Sequence, residues 1–496
     1  MIMAPLPASW LPLVAIALPM ACVPLILLAR RFPDVREGIT MAGASLLIVV
    51  VALLAFALSL GPVAPLAVTG PIADLPLTMR VEPLGMLFAL VAGFLWLITS
   101  IYAVGYMRAH HEKNQTRFYV FFAIAIGATM GIAFAGDLLT LFIFYEILTI
   151  STFPLVTHAQ NDEARRAGRL YLGILMGTSI GLFLLAIVIT YAVAGTLDFR
   201  PGGILQDKVQ PALAGLLLAL YVFGIAKAAV MPMHRWLPAA MVAPTPVSAL
   251  LHAVAVVKAG AFSVLKITTF IFGFDLLAGL TATGLLQAVA AFTVIAASLV
   301  ALTKDNLKAR LAYSTISQLS YIVLAALIAD PAAFLGGGFH IATHAFGKIT
   351  LFFCAGAILV AAHKTRISEL DGMGRVMPFT FAAFLIGSFS LIGLPPMGGL
   401  WSKWLMIQGA FNTQHWILIG VFAVSTLLNI AYLLPIPFRA FFRPLPDGAS
   451  SGVREAPLPC LAAMAVTIMG CLALFFLPDP VIAFLSRALS LSGAFP

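Results

Sequence analysis

The chain has 496 residues, of which 62% are hydrophobic and only 9% are charged, and its mean hydropathy is +1.06. A soluble domain normally carries about 25% charged residues, so this composition excludes a molecule surrounded by water. The net charge of +9 on its own would fit an acidic partner such as nucleic acid, and the distribution of the basic residues along the chain decides whether it does.

Apolar runs continue almost from end to end of the chain. A bilayer core about 30 Å thick needs roughly 20 apolar residues per helix. The first run is long enough to span and lacks the basic segment that begins a cleavable signal peptide, so we interpret it as a helix. We expect an all-α polytopic membrane protein with about fourteen transmembrane helices, at residues 8–29, 38–61, 82–107, 117–136, 137–158, 168–195, 211–240, 246–273, 279–302, 307–329, 335–362, 376–411, 415–441 and 456–477.

Predicted spans seven and twelve are interrupted by proline. Span seven carries Pro232 and Pro238 after Lys227, and span twelve carries Pro395 and Pro396 between glycines. Proline removes a backbone donor and clashes with the preceding turn. Non-helical backbone survives at membrane depth only where protein or a water-filled cavity covers it. We therefore expect two broken helices that mark a transport site.

The basic residues of a membrane protein gather in its cytoplasmic loops. With the N-terminus placed outside, nineteen of the 28 lysines and arginines fall in inside segments and five within spans. The four in outside segments are Arg80, Arg200, Lys208 and Arg487. This alternation predicts both termini on the outer side of a membrane of the bacterial inner type, and it accounts for the positive charge without nucleic acid.

The two broken spans lie five spans apart, and each has a lysine near its break. Spans four to eight and nine to thirteen would therefore enter the membrane in opposite senses, which is the plan of inverted repeats in secondary transporters. This predicts an N-terminal three-helix segment at 1–116, a first repeat at 117–273, a second repeat at 279–441, and a C-terminal helix and tail at 442–496.

Charged side chains placed within apolar spans are the candidate functional residues. Each costs about 2.5–3.5 kcal/mol on insertion scales, so the chain must pair or hydrate it. Glu146 is the only acid predicted at mid-span, which makes it a partner for a lysine such as Lys227 beside the first break. Lys258 follows His252 in span eight, and Lys403 follows the second break. For each lysine the alternative is a side chain that snorkels to the nearer membrane face, and for Lys266 the two interpretations are equal.

Three titratable residues of span eleven, His340, His344 and Lys348, are spaced i, i+4 and i+8 and share one stripe of the helix. Two histidines at this spacing can ligate zinc, but neither a glutamate nor a third soft ligand accompanies them, so we expect a proton relay and no metal. The chain has no flavin, haem or cluster motif, and we expect no cofactor. Its cysteines form no CxxC pair: Cys22, Cys354, Cys460 and Cys471.

Four runs of residues resemble the antiporter-like subunits of respiratory complex I and of Mrp-type cation/proton antiporters. They occur in the order typical of that family: Lys227–His252 continued to Gly260, Leu307–Gln318, His340–Lys348 and Gly393–Lys403. The stretch around Glu146 and the residues Ala194–Asp198 look similar to the same family. These landmarks run from residue 117 to about 440.

The resemblance implies a fourteen-helix fold with two inverted five-helix repeats, no catalytic residue in this chain, and a proton pathway. That pathway consists of a first buried pair, a central relay, a second relay and an exit group: Glu146 with Lys227; His252 with Lys258; His340 and His344 with Lys348; and Lys403. Lys403 departs from the complex I M type, which has a glutamate at the matching place.

The chain ends soon after the fourteenth predicted span, and it looks most like an Mrp D subunit. This implies a proton-translocating subunit of a monovalent cation/proton antiporter, with other membrane subunits, the bilayer, protons and Na⁺ or K⁺ as partners. One alternative is a proton-pumping subunit of an NADH-quinone oxidoreductase of the M or N type or of a membrane hydrogenase, whose redox chemistry would belong to other subunits. A structural scaffold is a third interpretation.

Overall fold

The computed structural model describes residues 7–72, 75–445 and 452–490. These residues are mostly helical, and separate helical segments of three to six residues are left unnumbered. In chain order the helices are α1 (Ala8–Arg31), α2 (Pro33–Leu60), α3 (Pro83–Ala109), α4 (Gln115–Ala133), α5 (Leu138–Val156), α6 (Asp162–Ala194), α7 (Pro211–Gly224), α8 (Thr245–Phe272), α9 (Thr281–Thr303), α10 (Leu307–Ile328), α11 (Pro331–Ala362), α12 (Pro378–Ile392), α13 (Gly399–Asn412), α14 (Trp416–Phe442), α15 (Leu458–Phe476) and α16 (Pro478–Ser490).

The expected helical membrane fold is confirmed, and the chain is a multi-pass membrane protein. Within the described residues, twelve of the helices are long and apolar enough to cross a membrane. Predicted spans seven and twelve instead contain the shorter apolar helices α7 and α12, each followed by irregular backbone. The count of fourteen spans and the inverted repeats stay predictions. The predicted side of the two termini concerns Met1 and Pro496, which lie outside the described residues.

A β-hairpin between α2 and α3 was not expected from the sequence. Strands β1 (Leu66–Ile72) and β2 (Leu75–Met79) pair antiparallel. The strands are too short, and too rich in proline and glycine, to stand out beside helices of twenty apolar residues. The hairpin continues into the turn between α4 and α5, where the amide of Gly136 donates to the carbonyl of Thr78 at 2.7 Å. We call the ends of the helices around residues 61–82 and 134–137 the hairpin face, and the opposite side, with loops 110–114 and 363–377, the basic face.

Burial places α8 at the centre of the helix bundle. Its most apolar window is 100% buried, whereas those of α2 and α15 are 33% and 28% buried. The outer helices expose large apolar side chains such as Phe56 and Leu427, at 63% and 66%. A lipid-facing surface is built in this way, because lipid does not penalise exposed apolar groups. The site that α8 carries is therefore shielded from lipid on every side.

Candidate functional site

The first helix break lies where the prolines predicted it. Helix α7 ends at Gly224, and the irregular backbone that follows contains Pro232. The freed backbone groups find partners: the amide of Lys227 donates to the Tyr145 hydroxyl at 3.2 Å, and the indole of Trp236 donates to a carbonyl of the break at 2.9 Å. This satisfies the rule that buried backbone at membrane depth must be hydrogen-bonded.

Lys227 is fully buried against α5. Its ammonium donates to the carbonyl of Tyr145 at 2.8 Å and to the hydroxyl of Thr149 at 2.5 Å. Lys227 and Glu146 act on each other electrostatically but form no ion pair in the described part of the chain, and their role as the first buried pair of a proton pathway stays a prediction. Ser179, in a π-helical turn of α6, is the other group that acts on the Glu146 carboxylate. Both carboxylate oxygens of Glu146 lack a hydrogen-bond partner among the described residues.

Helix α8 packs directly against the first break. A Cβ atom on Gly260 would overlap the backbone of Lys227 and Ala228, so only glycine permits this approach. Lys258, two residues earlier, points about 200° away around the helix. Lys227, which packs against the Gly260 side of α8, and Lys258 are therefore on opposite sides of this helix. A proton passing between them must go around it.

Lys258 links α8 to α11. Its ammonium nitrogen lies 2.7 Å from Nδ1 of His344, and the rings of His344 and His340 follow one turn apart with their centres 5.8 Å from each other. All three side chains are buried, and Nε2 of each ring has no hydrogen-bond partner among the described residues. Titratable groups thus follow one another at distances that a direct contact or one water molecule can bridge.

Lys348 and His252 lie beside this contact. The Lys348 ammonium donates to the hydroxyl of Ser314 in α10 at 2.5 Å, so the third member of the predicted stripe turns toward a different helix from His344. His252 lies in a π-helical turn of α8 with its ring 4.9 Å from that of Phe352. Neither of its ring nitrogens has a partner within the described ranges, although His252 acts electrostatically on His344.

The second helix break holds Lys403. Helix α12 ends at Ile392 and α13 begins at Gly399, with Pro395 and Pro396 between them. The Lys403 ammonium donates to the Ile392 carbonyl at 2.8 Å and is 5% exposed. It therefore caps the carboxyl end of α12, where the helix dipole is negative. A snorkelling side chain would reach the membrane surface instead, so that alternative is wrong for Lys403.

Two residues that the sequence did not mark connect α11 to the second break. The Ser402 hydroxyl lies 2.9 Å from Nδ1 of His340. The Tyr321 ring stacks on that of His340 at 5.9 Å and lies 5.1 Å from the Lys403 ammonium. We call the resulting chain of neighbours the central row: Lys258, His344, His340, Ser402, Tyr321 and Lys403. Three titratable groups come first in this row, and two hydroxyls that can pass a proton on lie between them and Lys403.

Gln318 is the best candidate to join the first break to the central row. Helix α10 contacts both that break and α8. Gln318 is fully buried on this helix, and neither atom of its amide has a hydrogen-bond partner in the residues the structure covers. A signal for it exists in the sequence, because Gln318 and Tyr321 are spaced i and i+3 and so share one face of a helix that is rich in polar side chains there.

The sequence left open whether Lys266 snorkels to the membrane surface. Lys266 is fully buried and forms an ion pair with Glu82, so it does not snorkel. No metal site accompanies any of these groups: in residues 7–72, 75–445 and 452–490, no three His, Cys, Asp or Glu side chains are grouped to hold an ion. The cysteines are free and buried.

Comparison with known proteins connects this geometry to one family. The family described as NADH:quinone oxidoreductase/Mrp antiporter, TM, matches residues 135–429, and that described as the N-terminus of chain 5 of NADH-ubiquinone oxidoreductase (complex I) matches residues 69–119. NADH-quinone oxidoreductase subunit N of Desulforudis audaxviator is 31% identical, with 81% of this chain and 82% of that protein covered.

Other relatives carry different names. A protein of Rhizobium meliloti that is named as part of a probable K(+)/H(+) antiporter is 28% identical, with 83% of this chain and 41% of that protein covered. NAD(P)H-quinone oxidoreductase chain 5 of Synechocystis is 31% identical, with 76% of this chain and 56% of that protein covered. The chain thus covers about half of several relatives, but most of subunit N.

Two solved structures share the fold over nearly the whole chain. A chain of the membrane-bound sulfane sulfur reductase, an archaeal respiratory complex, matches with a TM-score of 0.85 and 24% identity, covering 98% of both chains. A chain of the Mrp complex from Dietzia matches with a TM-score of 0.80 and 21% identity, covering 97% of both. With the family match over more than half of its length, the chain belongs to the NADH:quinone oxidoreductase/Mrp antiporter family of membrane subunits, as the motifs predicted.

Proposed function

We propose that this chain is the proton-translocating membrane subunit of a multi-subunit monovalent cation/proton antiporter, similar to an Mrp D subunit. The observation that carries proton translocation is the central row, which begins with the 2.7 Å contact between Lys258 and His344. A membrane protein keeps so many buried titratable side chains at a cost in stability, so such residues are functional by default. Relatives named as components of K(+)/H(+) and Na(+)/H(+) antiporters support the finer assignment.

A proton enters near Glu146 and Lys227 and leaves near Lys403. When the Glu146 carboxylate moves away from Lys227, the ammonium loses its compensating charge and its proton is released. The proton then passes around α8 by way of Gln318, His252 and bound water to Lys258. From there it follows the central row to the second break. Broken helices at both ends supply the irregular backbone around which such groups can move.

The second candidate is a proton-pumping subunit of a redox complex, of the NADH-quinone oxidoreductase or membrane hydrogenase type. It is favoured by subunit N, which the chain covers over 82% of its length, and by Hydrogenase-4 component B of Escherichia coli at 32% identity. In either case the partners are other membrane subunits. The basic face would lie on the cytoplasmic side of a bacterial inner membrane, following the bias of lysine and arginine.

The test uses the intact complex, purified through a tag on this chain and reconstituted into vesicles that contain a pH-sensitive dye. The proton flux is driven by an imposed Na⁺ or K⁺ gradient, or by the electron donor and acceptor of the partner subunits. Glu146→Gln and Lys227→Ala should each lower the flux by about tenfold or more, since removing a proton-transfer group typically costs that much. Glu37→Gln is the matched control, because Glu37 is 2% exposed but pairs with arginines at the basic face.

Wild-type flux in both variants, with all subunits assembled, would overturn the proposed function. The same vesicles separate the two candidates. An antiporter moves protons when only a Na⁺ or K⁺ gradient is imposed. A redox pump moves them only when the electron donor and acceptor of its partner subunits are supplied.

A further inference from the structure

Four charged side chains from separate segments form a largely buried cluster at the hairpin face. Lys266 lies near the end of α8, Arg80 follows the hairpin, and Glu82 and Asp137 immediately precede α3 and α5. Arg80, Glu82 and Asp137 all act electrostatically on the Lys266 ammonium. Two cations and two anions balance to zero, so the cluster can stay buried without a counter-ion.

Within this cluster, Lys266 is held toward the hairpin face. Its ammonium forms an ion pair with Glu82 and donates to the carbonyl of Ala135 at 2.6 Å. The ring of Phe199 lies 4.5 Å from the same nitrogen. The other two charges have separate tasks: Arg80 donates to the carbonyl of Phe199, and Asp137 caps α5. Glu82 is therefore the partner left to exchange a proton with Lys266.

A cavity of about 570 Å³ reaches this pair from the hairpin face. Its lining is mainly apolar and includes Phe199, Phe270 and Leu60, which is 76% exposed, together with the charged Arg80 and Glu82. Lys266 is fully buried and does not line the cavity. The Glu82 carboxylate thus stands between the ammonium and a space large enough for many water molecules.

The same pair is connected inward along α8. Lys266 follows Lys258 by eight residues, about 12 Å along the helix axis. Ser263 lies three residues before Lys266 on the same side of the helix, and about 140° around the helix from Lys258. Its hydroxyl is fully buried and has no hydrogen-bond partner among the residues described. The hydroxyl can pass a proton to Lys266, and water completes the route from Lys258 around the helix.

We propose that Glu82 and Lys266 form a second proton-exchange site, which joins the central row at Lys258 to the cavity on the hairpin face. The Lys266 ammonium passes a proton to the Glu82 carboxylate, which leaves a neutral amine and a carboxylic acid. The acid then releases the proton to water in the cavity and becomes a carboxylate again. The amine is recharged by a proton from Lys258, which passes through water and Ser263. This branch rests on the proposed function, because it needs protons in the central row.

The experiment repeats the vesicle measurement with Glu82→Gln, which keeps the shape of the side chain and removes its exchangeable proton. Proton flux per assembled complex should fall by about twofold or more, because only the exit near Lys403 stays open, and Glu82→Asp should restore part of it. Glu37→Gln should keep wild-type flux, since it removes a carboxylate of similar burial at the basic face. A merely structural ion pair would lower the thermal stability of the Glu82→Gln complex and leave its flux per complex unchanged.

If Glu82→Gln fails to assemble because Lys266 is left unpaired, the double variant E82Q/K266Q removes both charges and no buried charge stays uncompensated. It too should lose flux. Wild-type flux in whichever of these variants assembles overturns this inference. The result is separate from the proposed function, which is lost only if Glu146→Gln and Lys227→Ala also keep wild-type flux.

Discussion

The ammonium nitrogen of Lys258 lies 2.7 Å from Nδ1 of His344, and both side chains are buried. A charged lysine donates to Nδ1 and fixes the proton of a neutral imidazole on Nε2, whereas a neutral lysine accepts from Nδ1. One proton can therefore reside on either partner with little movement of atoms. This contact joins the central helix α8 to α11, so it is the point at which the two halves of the proposed pathway meet.

We predict ordered water at the buried polar atoms that have no protein partner. These include both ring nitrogens of His252, both carboxylate oxygens of Glu146 and the amide of Gln318, as far as the described residues show. Buried polar atoms are almost always hydrogen-bonded, to water where protein does not serve. A cryo-electron microscopy map of the intact complex at a resolution that shows water would test this.

Two serines of the same helix bundle are the control for this prediction of ordered water. The hydroxyls of Ser298 and Ser317 contact each other directly at 2.9 Å, so no bridging water is expected between them. Dry apolar packing around His252 and Gln318 would contradict the prediction and leave Lys227 without a route to Lys258.

We predict that Gly260→Ala disrupts the first break. The added methyl group would overlap the backbone of Lys227 and Ala228 and push α8 away from it. Overpacking of this kind costs about 1–3 kcal/mol and displaces neighbouring groups. The complex should lose thermal stability and most of its proton flux.

Gly173→Ala is the control for that variant, because a methyl group on Gly173 of α6 meets open space. Its melting temperature and flux should match those of the wild type. Equal behaviour of the two alanine variants would show that the close approach of α8 to the break is not needed.

We predict a stability change with pH at the basic face. The Arg439 guanidinium, whose Nε lies 2.7 Å from the Asp371 carboxylate, holds the pKa of that carboxyl below its usual value. Because the folded-state pKa is lowered, the pairing stabilises the protein above the unfolded value of about 4. It is lost as the pH falls through the folded-state pKa.

Asp371→Asn should therefore lower the melting temperature of the detergent-solubilised complex by about 1–2 °C at neutral pH, as expected for one partly exposed pair. The difference should close as the pH drops below about 4. Asp162→Asn removes a largely exposed pair with Arg165 and should change nothing at either pH. A difference in melting temperature between Asp371→Asn and the wild type that widens toward acid pH would contradict the lowered pKa of Asp371.

Features that depend on nearby residues could be predicted from the sequence. Long apolar runs indicated the helices, and the prolines after Lys227 and before Lys403 indicated the two breaks, since proline acts on its own turn. The stripe of His340 and His344 followed from helical spacing alone. The family resemblance is confirmed for the same reason, because its motifs are contiguous runs.

Features that depend on contacts between distant segments could not be predicted. Glu82 lies at the start of a span and has the pattern of a surface residue until folding brings Lys266 to it. Ser402 is one of many serines, and only its contact with His340 marks it. Lys227 also has oxygen partners on α5 that the sequence does not reveal, beside its electrostatic interaction with Glu146.

Lys258 and His344 should act as two steps of one proton pathway. Proton flux in vesicles should be measured for Lys258→Ala, His344→Ala and the double variant, each normalised to assembled complex. Each single variant should lose about tenfold or more, and the double variant should be no worse than the poorer single one, because two steps of one path are interrupted only once. Wild-type flux in the assembled Lys258→Ala complex would contradict this pathway.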